Sequence, residues 1–144
     1  MRKLYQILLF CILSFASSVQ AGTPYCWSLY SGLLGVSSTT LKLHVTDIED
    51  QYLVSGTASF NIITFPPVTR VRLVNGTATT VNDKIEVSLN ASGIEGPEQD
   101  RLWIGTYHLV LNPATLNGTF LARPSENANS NPATSGEATL ITCQ

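Results

Sequence analysis

Two cysteines, Cys26 and Cys143, constrain this chain more than any other feature of its 144 residues. They lie near the two ends of the part that remains once a predicted signal peptide is removed, and they are then its only cysteines. Disulfides persist in the oxidising compartments that exported chains meet, so we expect a disulfide that joins the first strand to the last. Two free thiols are the alternative. A metal site is disfavoured, because zinc needs three or four closely spaced ligands.

The first 21 residues have the pattern of a cleaved signal peptide. Arg2 and Lys3 precede an apolar run over residues 4–15, and Val19 and Ala21 satisfy the small-residue rule for cleavage after Ala21. The run is too short for a membrane anchor, which needs about 20 apolar residues. We therefore expect one mature domain, residues 22–144, that is secreted or periplasmic and does not insert into a membrane.

Removal of the signal peptide makes the chain more acidic. The mature part keeps six basic and ten acidic residues, a formal net charge of −4, which suits solubility. Nucleic acid and anionic membranes demand a basic face, so we expect neither as a partner. Arg70 and Arg72 alternate on one predicted strand and are interpreted as part of a solvated face.

Alternating apolar residues, with frequent Thr, Val and Ile, predict an all-β chain. The fifth strand is the clearest, because Ile85, Val87, Leu89 and Ala91 share one face. Residues 92–100 and 123–135 are predicted to be loops. The eight predicted strands cover residues 25–30, 39–47, 52–63, 68–81, 84–91, 101–111, 115–122 and 136–143.

A short pattern with a central glycine occurs three times, as LVSGTA at 53–58, LVNGTA at 73–78 and LNGTF at 116–120. A glycine within a strand marks a kink, a bulge or a close approach, and periodic glycines let a sheet coil tightly enough to close. Alternatively, Asn75-Gly76 is a hairpin turn, which would divide the fourth strand and give nine strands.

Short connections between the strands predict antiparallel pairing of sequence neighbours. Eight strands can close into a barrel that is filled by side chains or holds one small ligand, and cysteines near both ends of the sheet fit such closure. The predicted fold is therefore an eight-stranded antiparallel up-and-down barrel. A β-sandwich is the alternative.

The predicted architecture is similar in shape to the lipocalin and avidin group of up-and-down barrels. The similarity lies in the strand count and in Leu116-Asn117-Gly118-Thr119-Phe120, which begins the second arm of a hairpin. Tyr25-Cys26-Trp27 stands where a lipocalin has Gly-x-Trp. The resemblance therefore concerns shape alone and implies no site residue.

The chain offers few residues for catalysis. His44 has Asp47 and Asp50 nearby in sequence, as a base with its orienting group would, but we expect it on a solvated face. His108 lies in a strand that is apolar on both faces and is interpreted as an interior histidine. Because so few catalytic residues are present, we expect no enzyme activity and no cofactor. We also expect no bound metal, since the acidic residues Glu95, Glu98 and Asp100 do not have the spacing of an EF-hand loop.

Aromatic residues are the candidates for binding, because sites in barrel mouths are mostly apolar. Trp103 and Tyr107 share a strand face with Gly105 between them, a gap that either receives a flat ligand or is packed by a neighbouring strand. Membership of the core is the competing interpretation for all of these rings. The predicted ligand-binding residues are Trp27, Tyr52, Phe60, Trp103, Tyr107 and Phe120.

The leading hypothesis is an exported, non-enzymatic β-barrel that binds a small apolar ligand. The alternative is a secreted protein-interaction or surface-assembly sandwich, in which the sixth strand and the Asn-rich loop meet a protein partner. Three sequons, at Asn75, Asn90 and Asn117, allow glycosylation in a host that glycosylates exported proteins.

Overall fold

A computed structural model of the chain describes residues 22–32, 38–48, 51–62, 66–95, 101–124 and 133–144. The predicted signal peptide, the segment 96–100 with Glu98 and Asp100, and most of the Asn-rich loop lie outside the described residues. No stretch of the described chain is a helix of the length and apolarity needed to cross a membrane. The strands are β1 (Tyr25–Tyr30), β2 (Thr39–Ile48), β3 (Gln51–Ile62), β4 (Val68–Val81), β5 (Lys84–Glu95), β6 (Arg101–Leu111), β7 (Gly118–Pro124) and β8 (Thr134–Ile141).

The eight strands form one closed up-and-down barrel. Each strand pairs antiparallel with the next, and β8 pairs antiparallel with β1, which aligns Cys26 with Ile141 and Tyr30 with Glu137. The predicted all-β barrel is confirmed. The sandwich alternative is wrong, because the first and last strands are neighbours in one continuous sheet.

The expected disulfide is present and links the two ends of the sheet. It joins Cys26 of β1 to Cys143, which follows β8, and their Cα atoms lie 5.2 Å apart. The two residues are 117 positions apart in sequence, and closing a loop of that size is worth about 5 kcal/mol in the chain-entropy model. The bond therefore holds together the two strands that are most distant along the chain.

The strand β5 is longer than predicted. Gly93 and Ile94 pair with Trp103 and Leu102 of β6, and the pairing continues to Glu95. Residues 92–95 thus belong to the sheet and not to a loop. A glycine and a short polar stretch suggested a turn, but the hydrogen-bonding partner offered by β6 decides the local structure.

The strand β7 begins three residues later than predicted, because residues 112–117 form a turn. The amide of Asn112 donates to the carbonyl of Asn117, and the amide of Leu116 donates to the carbonyl of Asn112. Leu116 takes a positive φ of 56°, which ends extended structure there. The strand β8 is displaced in the opposite direction along the chain: it begins and ends two residues earlier than predicted, with Thr134 paired to Ala122 and the strand ending at Ile141.

Glycines of the repeated pattern mark close approaches of neighbouring backbones. The strand β4 runs without interruption through Asn75 and Gly76, so the hairpin alternative is wrong. A Cβ atom on Gly76 would overlap the carbonyl oxygen of Ser88 in β5. Gly56 and Gly118 stand against the backbones of β2 and β6 in the same way. Tight coiling of the sheet therefore requires glycine at these positions.

The interior is densely packed at one end of the barrel, which we call the lower end, where β2, β4, β6 and β8 finish. Leu109 and Leu111 are almost fully buried there. The indole nitrogen of Trp27 donates to the carbonyl of Leu116 at 2.8 Å, and the Leu116 side chain packs against the core. The turn 112–117 thereby covers the lower end.

We predict that the Cys26→Ser/Cys143→Ser double variant keeps the barrel but loses about 2–5 kcal/mol of unfolding free energy, because the unfolded chain is no longer cross-linked. Guanidinium unfolding monitored by far-UV circular dichroism measures this loss. The single Cys143→Ser variant is the control and should lose as much. Equal unfolding midpoints for oxidised wild type and the double variant would contradict the prediction.

Candidate functional site

Four inward-facing side chains meet in the upper half of the barrel and form what we call the arginine–aromatic cluster: Phe60 of β3, Arg72 of β4, and Trp103 and Tyr107 of β6. The guanidinium carbon of Arg72 lies 3.5 Å from the centroid of the Trp103 ring and 4.5 Å from that of Phe60. Its Nη1 donates to the Tyr107 hydroxyl at 2.9 Å. The cluster thus holds a cation by two aromatic rings and one hydrogen bond.

The alternation of β4 places Arg72 inside the barrel. Val74 and Ala78 share its phase, and both are buried in the core. Arg72 therefore projects from the same face of the strand, two residues nearer the upper end. On the neighbouring strand β5, Gly93 leaves space for the Arg72 side chain, because a Cβ atom on Gly93 would lie 3.0 Å from Cγ of Arg72.

A second glycine makes room for the indole of Trp103. A Cβ atom on Gly105 would overlap that ring, and it would also lie 2.7 Å from the carbonyl oxygen of Arg123. The gap predicted between Trp103 and Tyr107 is thus occupied, and by Trp103 itself. The indole is held over Gly105 where it can meet the arginine.

The cluster is accessible at the upper end. Tyr107, at its base, is only 3 % exposed, whereas Phe60, Arg72 and Trp103 are half-buried. The strands β2, β7 and β8 carry short side chains on their inward phase in the upper half, and Ala122 of β7 pairs directly with Tyr107. Thr39 of β2, Ala122 of β7 and Thr134 of β8 are half-buried there. At the upper end the inward side chains of the cluster strands are thus long and those of β2, β7 and β8 are short, while Leu29 of β1, which pairs with Thr39, is long and buried.

The six predicted ligand-binding residues divide between the two ends of the barrel. Phe60, Trp103 and Tyr107 come together in the cluster. Trp27 and Phe120 are buried in the core, and Trp27 also contacts the lower turn. Tyr52 begins β3 at the lower end and is 39 % exposed. The structure therefore separates these three residues from the upper cluster.

Sequence reasoning missed Arg72, the residue that contacts the other three members of the cluster. Its assignment to a solvated face is wrong, because the side chain lies against interior rings. Its even spacing from Val74 and Ala78 was the available signal. The charge of Arg72 favours a solvated face, whereas the strand phase that it shares with Val74 favours the interior.

Each histidine has a hydrogen-bonding partner other than the described acidic residues near it in sequence, and Asp50 lies outside the described residues. Nδ1 of His44 donates to the carbonyl of Gly22 at 3.2 Å, while Asp47 lies on the opposite phase of β2. His108 is on the outer face, not in the interior, with its Nδ1 3.3 Å from the hydroxyl of Ser88. Among the described residues, no three His, Cys, Asp or Glu side chains are placed to hold a metal ion.

An outer apolar patch lies on β4, β5 and β6 near the upper end. Leu73 is its most exposed member at 67 %, and the β5–β6 register sets Ile94 directly opposite Leu102. A groove of about 500 Å³ runs between these side chains, with Thr69 and Ser92 at its edge. The patch consists of Val71, Leu73, Ile94, Leu102 and Ile104.

This chain matches no protein-family model, no curated protein and no solved structure.

We predict that Gly105→Ala displaces the Trp103 indole, because the added methyl group takes the space of that ring. Near-UV circular dichroism in a Trp27→Phe background, which leaves Trp103 as the single tryptophan of the sequence, should show a changed indole signal. The unfolding free energy should fall by about 1–3 kcal/mol. Thr106→Ala, on the outer face of the same strand, is the control and should change neither. An unaltered indole signal in Gly105→Ala would contradict the described packing.

Proposed function

We propose that this chain is an exported, non-enzymatic barrel that binds a small, largely apolar molecule in the upper half of its interior. The observation that carries the proposal is the partial exposure of Phe60 and Trp103, which are half-buried. They face inward, yet they remain accessible at the upper end. Aromatic walls with a few oriented polar groups are typical of small-molecule sites.

The contrast between the two halves supports this location. Leu109 and Leu111 fill the lower end, and the turn 112–117 covers it. In the upper half, β2, β7 and β8 contribute little inward side-chain volume through Thr39, Ala122 and Thr134. An eight-stranded barrel has an interior that holds one small ligand when short side chains leave it space.

The disulfide supports an exported location, because such bonds persist in oxidising compartments. A non-enzymatic role is supported by the placement of the histidines. His44 contacts a backbone carbonyl and His108 contacts Ser88 on the outer face, so neither faces the interior in which the ligand is proposed to bind.

We predict that N-phenyl-1-naphthylamine, a neutral apolar fluorophore, binds the wild-type protein and that Ala122→Phe weakens binding at least about tenfold, because the new ring occupies the proposed space. Fluorescence titration measures both affinities, and native mass spectrometry of protein from its own source should show a bound molecule. Thr134→Phe is a second filling variant, for use if the first does not fold.

Thr119→Phe is the matched control, since Thr119 lies on the same strand as Ala122 but faces an outer groove of about 490 Å³. It should bind the fluorophore as the wild type does. Equal binding by wild type and the correctly folded filling variants would refute an interior site. Loss of binding in Thr119→Phe alone would place the site on the outer face.

The outer apolar patch favours a second candidate function, self-association through this face. Its members are 42–67 % exposed. A whole aliphatic side chain has about 60–120 Å² of apolar area, so the patch exposes roughly 300 Å². A standard interface buries about 800 Å² per partner, a little over half of it apolar. A twofold contact between two copies would place each patch on its counterpart, so we propose a second copy of this chain as the occupant.

We predict a concentration-dependent dimer of the wild-type protein, and a monomer for Leu73→Asp, because a carboxylate at the most exposed position of the patch would be buried against apolar side chains. Sedimentation velocity from micromolar to millimolar protein measures both. Leu53→Asp is the control, because Leu53 is also exposed on the outer face but lies outside the patch. A wild type that stays monomeric throughout this range would overturn the second candidate.

A further inference from the structure

We infer that β8 is an exchangeable strand: until Cys26 and Cys143 are joined, it leaves its place between β7 and β1 and takes the same place in a second copy of this chain. The inference goes beyond the proposed function and does not depend on it. The product is a strand-exchanged dimer, in which β8 of each copy completes the barrel of the other. The disulfide, once formed, fixes the arrangement that is present.

The strand β8 has little hydrophobic anchoring. Of its eight residues, Ala138 alone is buried, and the burial of one methyl group stabilises a strand only slightly. The strands on either side carry much larger core residues, with Leu29 in β1 and Phe120 in β7. Side-chain packing therefore holds β8 less firmly than it holds its two neighbours.

Hydrogen bonds attach β8 on both sides. The strand pairs with β1 from Glu137 to Ile141 and with β7 from Thr134 to Ala138, and the Leu140 amide donates to Oδ1 of Asn117 at 2.7 Å. Water replaces such hydrogen bonds when a strand leaves, so their net contribution is modest. The same strand of a second copy has the same donors and acceptors and restores every one of these bonds.

The disulfide lies where it prevents the exchange. Cys143 is two residues beyond the end of β8, and Cys26 is in β1, the strand with which β8 pairs. While this bond is present, β8 stays tied to β1 of its own chain. Without the bond, its return to the same barrel is favoured by an effective concentration on the order of millimolar. Exchange between copies is therefore favoured by high protein concentration.

The place between β7 and β1 accepts a strand with small inward residues. A Cβ atom on Gly136 would overlap the carbonyl oxygen of Tyr30 in β1. Ala138 pairs directly with Leu29 and is 1 % exposed, so a larger side chain there would meet a filled core. The strand β8 meets both requirements, and we therefore assign the place to β8 of a second copy.

The test traps the exchange as a covalent heterodimer. The mature Cys26→Ser variant, which we call the donor, is mixed with the mature Cys143→Ser variant at about millimolar concentration in a glutathione redox buffer. When β8 of the donor lies beside β1 of the other copy, the two remaining thiols meet. Their oxidation to one disulfide reduces oxidised glutathione to two glutathione molecules. Peptide mapping without reduction should show Cys26 linked to Cys143 between copies.

A donor that also carries Gly136→Ala should give at least about tenfold less of this linked heterodimer, because its β8 no longer fits the place. Ser135→Ala is the matched control, since Ser135 is exposed on the outer phase of the same strand, and the yield should stay within about twofold. Ala138→Asn, with Thr139→Asn as its control, serves if Gly136→Ala does not fold. Far-UV circular dichroism checks the fold of each donor.

Equal yields from the folded Gly136→Ala and Ser135→Ala donors would overturn the inference, because a link that ignores the fit of β8 arises without strand exchange. A mixture in which no Cys26–Cys143 heterodimer forms would overturn it as well. Association through the outer apolar patch does not bring these thiols together, because the patch lies near the upper end of the barrel and both cysteines lie at the lower end. The link therefore reports strand exchange separately from the patch.

Discussion

Pairing between β1 and β8 is the constraint on which the rest of the structure depends. It removes both edges of the sheet, which would otherwise offer unpaired backbone groups to other chains. It also gives every strand an inner and an outer face, so that residue phase decides the surroundings of each side chain. The Cys26–Cys143 disulfide acts at this seam, between residues that are 117 positions apart in sequence.

Glycines serve two different purposes in this barrel. At Gly76 the neighbouring backbone occupies the position of a side chain, and this lets the sheet coil. At Gly93 and Gly105 the space is taken by the long side chains of Arg72 and Trp103. The first use shapes the container, whereas the second builds the cluster within it. Only the first repeats in the sequence, because it follows from closure, while the second depends on which residues lie on adjacent strands.

The fold was predictable from the sequence to the extent that strand alternation controls it. The phase of β5, with Val87 and Leu89 inward, predicts the core directly. The ends of β5 and β7 were not predictable, because pairing with β6 and the left-handed conformation at Leu116 determine them. Phe60, Trp103 and Tyr107 were found by their aromatic character, but nothing along the chain shows that they meet each other and not Trp27.

Arg72 is the instructive exception among the inward residues of β4. An aliphatic residue there would extend the packing of Val74 at no cost of desolvation, whereas a guanidinium gives up hydration on entering the barrel. The rings of Phe60 and Trp103 recover part of this cost through cation–π contact, and the Tyr107 hydroxyl recovers a further part. Arg72 is also only half-buried at the accessible end, and incomplete burial lowers the cost of desolvation further. A cation is therefore tolerated at this inward position because three rings of the cluster contact it and because it lies near the upper opening, whereas the same residue at the depth of Val74 would be fully buried.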